Sequence, residues 1–170
     1  MGRGGVSRRG DIAFPTKPPD RARIVSASGA AGGPVFDFMT ASSPHLRVLV
    51  VEDEPLIRWS IAETLAHAGH TVIEASTATT AVQTLTDTRE PIDVVLLDYR
   101  LPDSSDLGLV AHVRRLRPDS AVVMMTAYGT PEVTRGALDL GVHRVVNKPF
   151  DMHVLESLIL EAHRSRLDHA

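Results

Sequence analysis

The stretch I-D-V-V-L-L-D, Ile92 to Asp98, decides how the chain is read. Val94 to Leu97 are apolar in succession, without the polar residue at every second place that a strand with one wet face would show. A strand that is apolar on both faces belongs in the middle of a parallel sheet with helices on either side. It ends on an aspartate, so a carboxylate arrives at the carboxyl edge of that sheet. That edge is where open α/β sheets bind their ligands.

The neighbouring segments repeat the alternation. L-R-V-L-V-V (46–51) is a short β-branched run that ends in Glu52-Asp53-Glu54. Pro55 suits the first turn of a helix, and Ile57, Ile61, Leu65 and Ala68 keep helical spacing as far as Gly69. T-V-I-E-A (71–75) predicts a second strand, followed by a weaker helix from Thr77 to Thr88. Leu107, Val110, Val113 and Leu116 mark a third helix after the central strand. A-V-V-M-M (121–125) predicts strand four, and Pro131 to Leu140 the next helix. H-R-V-V-N (143–147) predicts strand five, and Met152 to Leu167 a last helix. Five strands alternating with five helices predict an α/β fold: a doubly wound five-stranded parallel sheet with right-handed crossovers and helices on both faces. Roughly 120 residues suffice for one well-buried core.

Composition changes sharply near His45. The first 45 residues hold 7 of the 12 glycines and 5 of the 11 prolines, and no leucine. With no repeating apolar face, residues 1–45 are expected to be a disordered or poorly ordered extension, 46–167 the folded domain and 168–170 a short end. Phe14, Phe36 and Phe38 are the unusual residues of that extension, and Met39 is an alternative natural start. The formal charge of −3 argues against nucleic acid as a direct partner. The absence of cysteine excludes disulfides, zinc-thiolate sites and thiol catalysis. The longest apolar runs are too short to span a bilayer, and no apolar stretch follows Ser7-Arg8-Arg9 as an export signal would need. A cytoplasmic protein without a membrane partner is the expectation. The eight histidines show no tight ligand spacing, so no transition-metal site is read from them.

The polar residues that follow the strands converge. Strand one delivers Glu52 and Asp53, strand three Asp98, strand four Thr126 and strand five Lys148. Three carboxylates brought together repel one another, and a hard divalent cation relieves the conflict; magnesium favours oxygen ligands of this kind. The chain uses sixteen arginines and two lysines, Lys17 and Lys148. A compact ammonium suits a site that needs one point charge aimed at a small anion. Lys148 is expected to pair with Asp98 and then to stabilise a phosphoryl group attached there, with the Thr126 hydroxyl opposite. The chemistry implied is attack by the Asp98 carboxylate on phosphorus, giving an acyl phosphate.

At this point V-L-V-V-E-D-E-P, V-V-L-L-D-Y-R-L-P-D, V-V-M-M-T-A-Y-G and N-K-P-F, in that order, closely resemble the receiver domains of two-component response regulators. Counted at Asp53, Asp98, Thr126 and Lys148, the motifs lie 45, 28 and 22 residues apart. The resemblance covers Leu46 to Arg166 and implies a flavodoxin-like strand order 2-1-3-4-5. It implies Asp98 as phosphoacceptor, with Thr126 and Lys148 holding phosphoryl oxygens. It also implies Mg2+ bound directly by Asp53 and Asp98, through water by Glu52, and by the backbone carbonyl of Arg100. A cis peptide between Lys148 and Pro149 belongs to the same expectation. The donor would be a sensor histidine kinase or a histidine phosphotransfer protein. The fourth helix, fifth strand and fifth helix would form the face for a downstream protein or a homodimer.

Two features depart from the family's usual pattern. Glu52 stands where aspartate is more common. Val145 stands where a tyrosine or phenylalanine usually turns inward on activation, and valine cannot swing in that way. Arg100 and Tyr128 occupy positions that tune acyl-phosphate hydrolysis; both are bulky, which predicts slow self-dephosphorylation. Trp59, off the apolar stripe of the first helix, is expected at the pocket rim as a kinase-docking residue.

Duller readings exist for each residue singly: a macrodipole-favoured cluster at Glu52 to Glu54, a polar turn at Asp98, a strand end at Thr126, a solvated Lys148. Only Asp168-His169-Ala170 follow the last helix, so the expectation is a stand-alone receiver, not an enzyme acting on other substrates, with output by protein contact or phosphorelay. The alternatives are a degenerate receiver that binds partners without phosphorylation, and a phosphatase of the haloacid dehalogenase type. The latter needs an acid two residues after the nucleophile, where Arg100 stands.

Overall fold

In a computed structural model, residues 22–26, 43–104 and 106–167 are described. A short strand β1 (Arg23–Val25) precedes the regular alternation of β2 (Arg47–Val51), α1 (Pro55–His67), β3 (Thr71–Ala75), α2 (Ala78–Asp87), β4 (Val94–Asp98), α3 (Gly108–Leu116), β5 (Ala121–Thr126), α4 (Pro131–Asp139), β6 (Arg144–Asn147) and α5 (Leu155–Leu167). A 3-10 turn, Met152–Val154, leads into α5 with the Asp151 carboxylate accepting from the His153 N–H. The sheet order is β1-β3-β2-β4-β5-β6. The five strands read from the sequence are parallel and in the order the resemblance implies.

One element corrects the sequence reading. The sheet has six strands: β1 pairs antiparallel with β3, Ile24 opposite Ile73. R-I-V is too short to show a period, and it sits among glycines and prolines. Those breakers do not prevent three residues from satisfying an otherwise open sheet edge. Residues 1–21 and 27–42 of the extension, with Phe14, Phe36, Phe38 and Met39, lie outside the described residues, as do residues 168–170.

Strand alternation builds two cores. Leu49, Val51, Ile73, Val95, Leu97, Val122 and Met124 pack against Leu85 of α2, Val110 and Val113 of α3 and Ala137 of α4. Val48, Val50, Val72, Val94, Leu96, Val123 and Met125 face the other way, onto Ile61 and Leu65 of α1 and Leu155 and Ile159 of α5. The unbroken apolar run of β4 is thereby explained: all five of its residues are buried. On α1 the buried stripe is Ile61, Ala62, Leu65 and Ala66, rotated slightly from the predicted one, and Ile57 is only half-buried.

The loop after β4 is pinned rather than loose. The Asp103 carboxylate accepts from the N–H groups of Ala78 and Thr79 at 2.8 Å each and from the Thr79 hydroxyl at 2.7 Å, closing the start of α2. Slight burial works to raise its pKa, but these bonds prevail and hold it below the ordinary 3.8. A depressed folded pKa contributes stability that is complete above the unfolded value and lost as pH falls through the folded one. Asp103→Ala is therefore expected to cost about 1 kcal/mol at pH 7, the usual scale of a lost helix cap. Denaturant titrations at pH 7 and pH 3 check this; the gap between parent and variant is expected to shrink at the lower pH.

Candidate active site

Parallel strands of matched register bring their carboxyl ends to one level. Leu97 lies opposite Met124, and Thr126 opposite Asn147, so β2, β4, β5 and β6 all finish along one rim. At that rim the Lys148 ammonium donates to Asp98 Oδ2 at 2.7 Å and to Glu52 Oε2 at 2.5 Å. Its pairing with Asp98 matches the sequence expectation, whereas the equally close bond to Glu52 was not foreseen. The Lys148–Pro149 bond is cis. Oxygens of Glu52, Asp53 and Asp98 lie within 4.8 Å of one another. This is an all-oxygen, anionic donor set of the kind a hard divalent cation takes.

Burial decides the electrostatics. Glu52 is fully buried and Asp98 nearly so, while Asp53 is exposed at the mouth. Burial is the main reason that the Glu52 carboxyl sits above its ordinary pKa of 4.5; repulsion from Asp98 adds to it, and Lys148 offsets part. For Lys148 burial works downward, but bonds and charge from Asp98 and Glu52 outweigh it and hold the ammonium above its ordinary 10.5. The macrodipole explanation of the acidic triplet fails for Glu52, which turns inward onto Lys148. Glu54 occupies the N-cap of α1 but makes no side-chain cap bond; its N–H donates to Glu52 Oε1 at 3.3 Å.

Thr126 is buried, and its Oγ1 accepts from the Tyr128 N–H at 3.1 Å, while its carbonyl accepts from the Lys148 N–H at 2.8 Å. A Cβ on Gly129 would lie 3.0 Å from the Thr126 methyl and from Asn147 Oδ1, so the loop over the threonine closes tightly on a glycine. The Arg100 N–H donates to Asp98 Oδ1 at 3.1 Å, and the Arg100 guanidinium sits 5.2 Å from the centroid of the Tyr128 ring. The two bulky residues singled out in the sequence thus stack on one another, with the Arg100 backbone bonded to the carboxylate. Trp59 is 52% exposed, on the outer side of α1. Val145 is half-buried against the α2–α4 core.

Sequence reasoning missed Arg58. Its Nη1 donates to the carbonyls of Glu52 at 2.6 Å and Asp53 at 3.2 Å, and its Nε faces Glu74 Oε2 at 3.4 Å. The available signal was its place on the Arg58–Ala62–Leu65 line, on the face of α1 that packs inward.

The response regulator receiver domain family matches residues 48–160. The chain belongs to that family. Receiver domains are signal receivers of two-component systems, phosphorylated on an aspartate, and they bind magnesium at an acidic pocket. The response regulator protein PilR of Pseudomonas aeruginosa is 37% identical over 120 residues, 71% of this chain and 26% of its own. The phosphate regulon regulatory protein PhoB of Escherichia coli is 37% identical over 107 residues, 61% of this chain and 45% of its own. A protein of Thermotoga maritima named a cyclic di-GMP phosphodiesterase is 31% identical over 124 residues, 33% of its length. The chain thus spans less than half the length of these curated relatives. Among solved structures, a CheY-like receiver domain protein from Methanospirillum hungatei is 26% identical with a TM-score of 0.69, covering 75% of this chain and all of that one. No helix among the described residues is long and apolar enough to cross a membrane.

Removing Lys148 tests the electrostatic account. Lys148→Met leaves Glu52 and Asp98 buried without their counter-charge and is expected to cost about 3 kcal/mol in EDTA at pH 8. Without Lys148 the Glu52 carboxyl is pushed further up by its burial, and a group whose folded pKa lies above its unfolded one loses stability as pH rises. Denaturation midpoints at pH 5 and pH 8 check the sign: the deficit relative to the parent is expected to be smaller at pH 5.

Proposed function

We propose that residues 46–167 form a phosphoacceptor receiver in which Asp98 takes a phosphoryl group from a phosphohistidine on a sensor kinase or phosphotransfer protein. The observation that carries this reading is the 2.7 Å contact between Lys148 and Asp98 beside two further carboxylates. In the transfer, an Asp98 oxygen forms a bond to phosphorus as the donor's nitrogen–phosphorus bond breaks, and that electron pair returns to the imidazole. Asp53 and Asp98, Glu52 through water, and the Arg100 carbonyl would hold Mg2+. The bound ion supplies positive charge that cancels the carboxylates and the charge on the phosphoryl oxygens. Lys148 exchanges its bond to the Asp98 carboxylate for one to a phosphoryl oxygen, and the Thr126 hydroxyl donates to another. Positioning and charge neutralisation are the protein's share of such a transfer.

The Arg100 guanidinium stacks on the Tyr128 ring, and the Arg100 backbone is bonded to Asp98; this bulk supports a reading in which the approach of water to the phosphorus, opposite the acyl oxygen, is hindered. The acyl phosphate is accordingly long-lived. A phosphatase of the haloacid dehalogenase type is disfavoured because Arg100, a cation committed to Tyr128, replaces the general acid which that chemistry needs. The output passes by protein contact or relay through α4, β6 and α5, where Val145, Val146, Val154 and Leu158 line a groove. That face also suits a homodimer. Leu56 and Trp59 on α1 are exposed and available to a docking donor. A cytoplasmic location goes with a kinase donor of this kind.

Incubation with Mg2+ and acetyl phosphate is expected to add about 80 dalton to the parent and nothing to Asp98→Asn, read by intact mass. The adduct is expected to persist for many minutes, and a half-life of seconds would contradict the shielding by Arg100 and Tyr128. Absence of an Asp98-dependent adduct would favour a degenerate receiver, and many turnovers of an aryl phosphate would favour a phosphatase.

A further inference from the structure

Arg58 is an arginine on an inward-facing line of α1, its side chain 18% exposed, and it is committed at both ends. One end holds the carbonyls of Glu52 and Asp53; the other faces Glu74, a carboxylate on β3 that is itself only 8% exposed. The two carbonyls belong to consecutive peptide units whose side chains are two of the three clustered acids. Fixing both peptide planes fixes the directions in which those side chains leave the backbone. Asp53 is exposed, so this restraint on its backbone does much to define where its carboxylate lies.

Glu74 keeps the guanidinium from turning away. Its other oxygen is buried without a hydrogen-bond partner, and Arg23 on β1 approaches it only to 3.9 Å. Arg23 is 64% exposed, so water screens that contact, and β1 acts mainly as cover, with Val25 packing against the same core as α1. Within this shelter the Arg58–Glu74 pair is screened less by water than an exposed pair would be.

Building on the receiver reading above, we propose that Arg58, anchored by Glu74, is a positioning residue that presets the Glu52–Asp53 loop for a divalent cation. The guanidinium reaches two carbonyls through Nη1 and a carboxylate through Nε with its donors held in one plane, whereas an ammonium carries its three donors on one atom at the end of a flexible stem. Partners that orient metal ligands without touching the metal typically change affinity by about 10–100-fold.

The test is the Mg2+ dissociation constant of the full chain by calorimetry, with thermal midpoints in EDTA measured alongside. Arg58→Ala is expected to weaken Mg2+ binding about tenfold or more. Arg58→Lys is expected to recover part of the loss. Glu74→Gln, which touches neither carbonyl, is expected to weaken binding in the same direction by a smaller factor. A purely structural role would lower the thermal midpoints and leave the dissociation constants at the parent value, which would overturn the proposal. If Arg58→Ala does not fold, parent-like affinity in both Arg58→Lys and Glu74→Gln overturns it equally. A parent that binds no Mg2+ sinks the receiver reading and this inference together, whereas parent-like binding in the variants sinks the inference alone.

Discussion

One ammonium binds two carboxylates from different strands, and the rest of the rim depends on it. Lys148 reaches Glu52 at 2.5 Å and Asp98 at 2.7 Å, joining the ends of β2 and β4 to the residue that follows β6. Without that charge, two buried acids and a third at the mouth would repel one another in a place that water reaches poorly. The register of the parallel strands is what makes the contact possible, since one strand slipped by one residue would turn its terminal carboxylate to the other face. In the proposed transfer, what holds the site together is also what must give way. The bond that holds Asp98 in the resting protein is the one that must be exchanged when an anion is attached there.

The division of labour between the basic residues follows from their shapes. Arginines carry much of the bracing between loops: Arg114 donates to the carbonyls of Ser120 and Gly141, and Arg117 to those of Leu85 and Thr88. Arg58 does the same for Glu52 and Asp53. A planar fork that spans two fixed acceptors suits such ties, whereas a lysine on a flexible stem can change partners. Lys148, the only lysine among the described residues, stands at the one place where the proposed transfer requires a change of partner.

Much of this was legible in the sequence because it depends on local pattern. The apolar run of β4 is buried at every position, and the residues that end the strands meet at one rim because parallel order leaves them no other place. What escaped depends on contacts between distant segments. The R-I-V strand has no period of its own and is defined only by the open edge of β3. Glu74 reads as an ordinary polar residue in a strand, yet it is buried by its partner on α1 and by the edge strand beside it. The second bond of Lys148 was hidden for a different reason: the burial of Glu52 depends on how the β2–α1 loop folds back, and Arg58 sets that turn. Val145 was visible as an exception to the family pattern, and it packs into the core as an ordinary half-buried strand residue.

The central claim concerns the ammonium of Lys148, and the chain's lysine content makes it directly observable. Protein labelled with nitrogen-15 only in lysine carries two side-chain amines, those of Lys17 and Lys148. The account predicts one ammonium resonance protected from solvent exchange in the metal-free protein, which moves when Mg2+ and beryllofluoride, a phosphoryl mimic, are added together and does not move in Asp98→Asn. Two solvent-averaged resonances that ignore the mimic would contradict it.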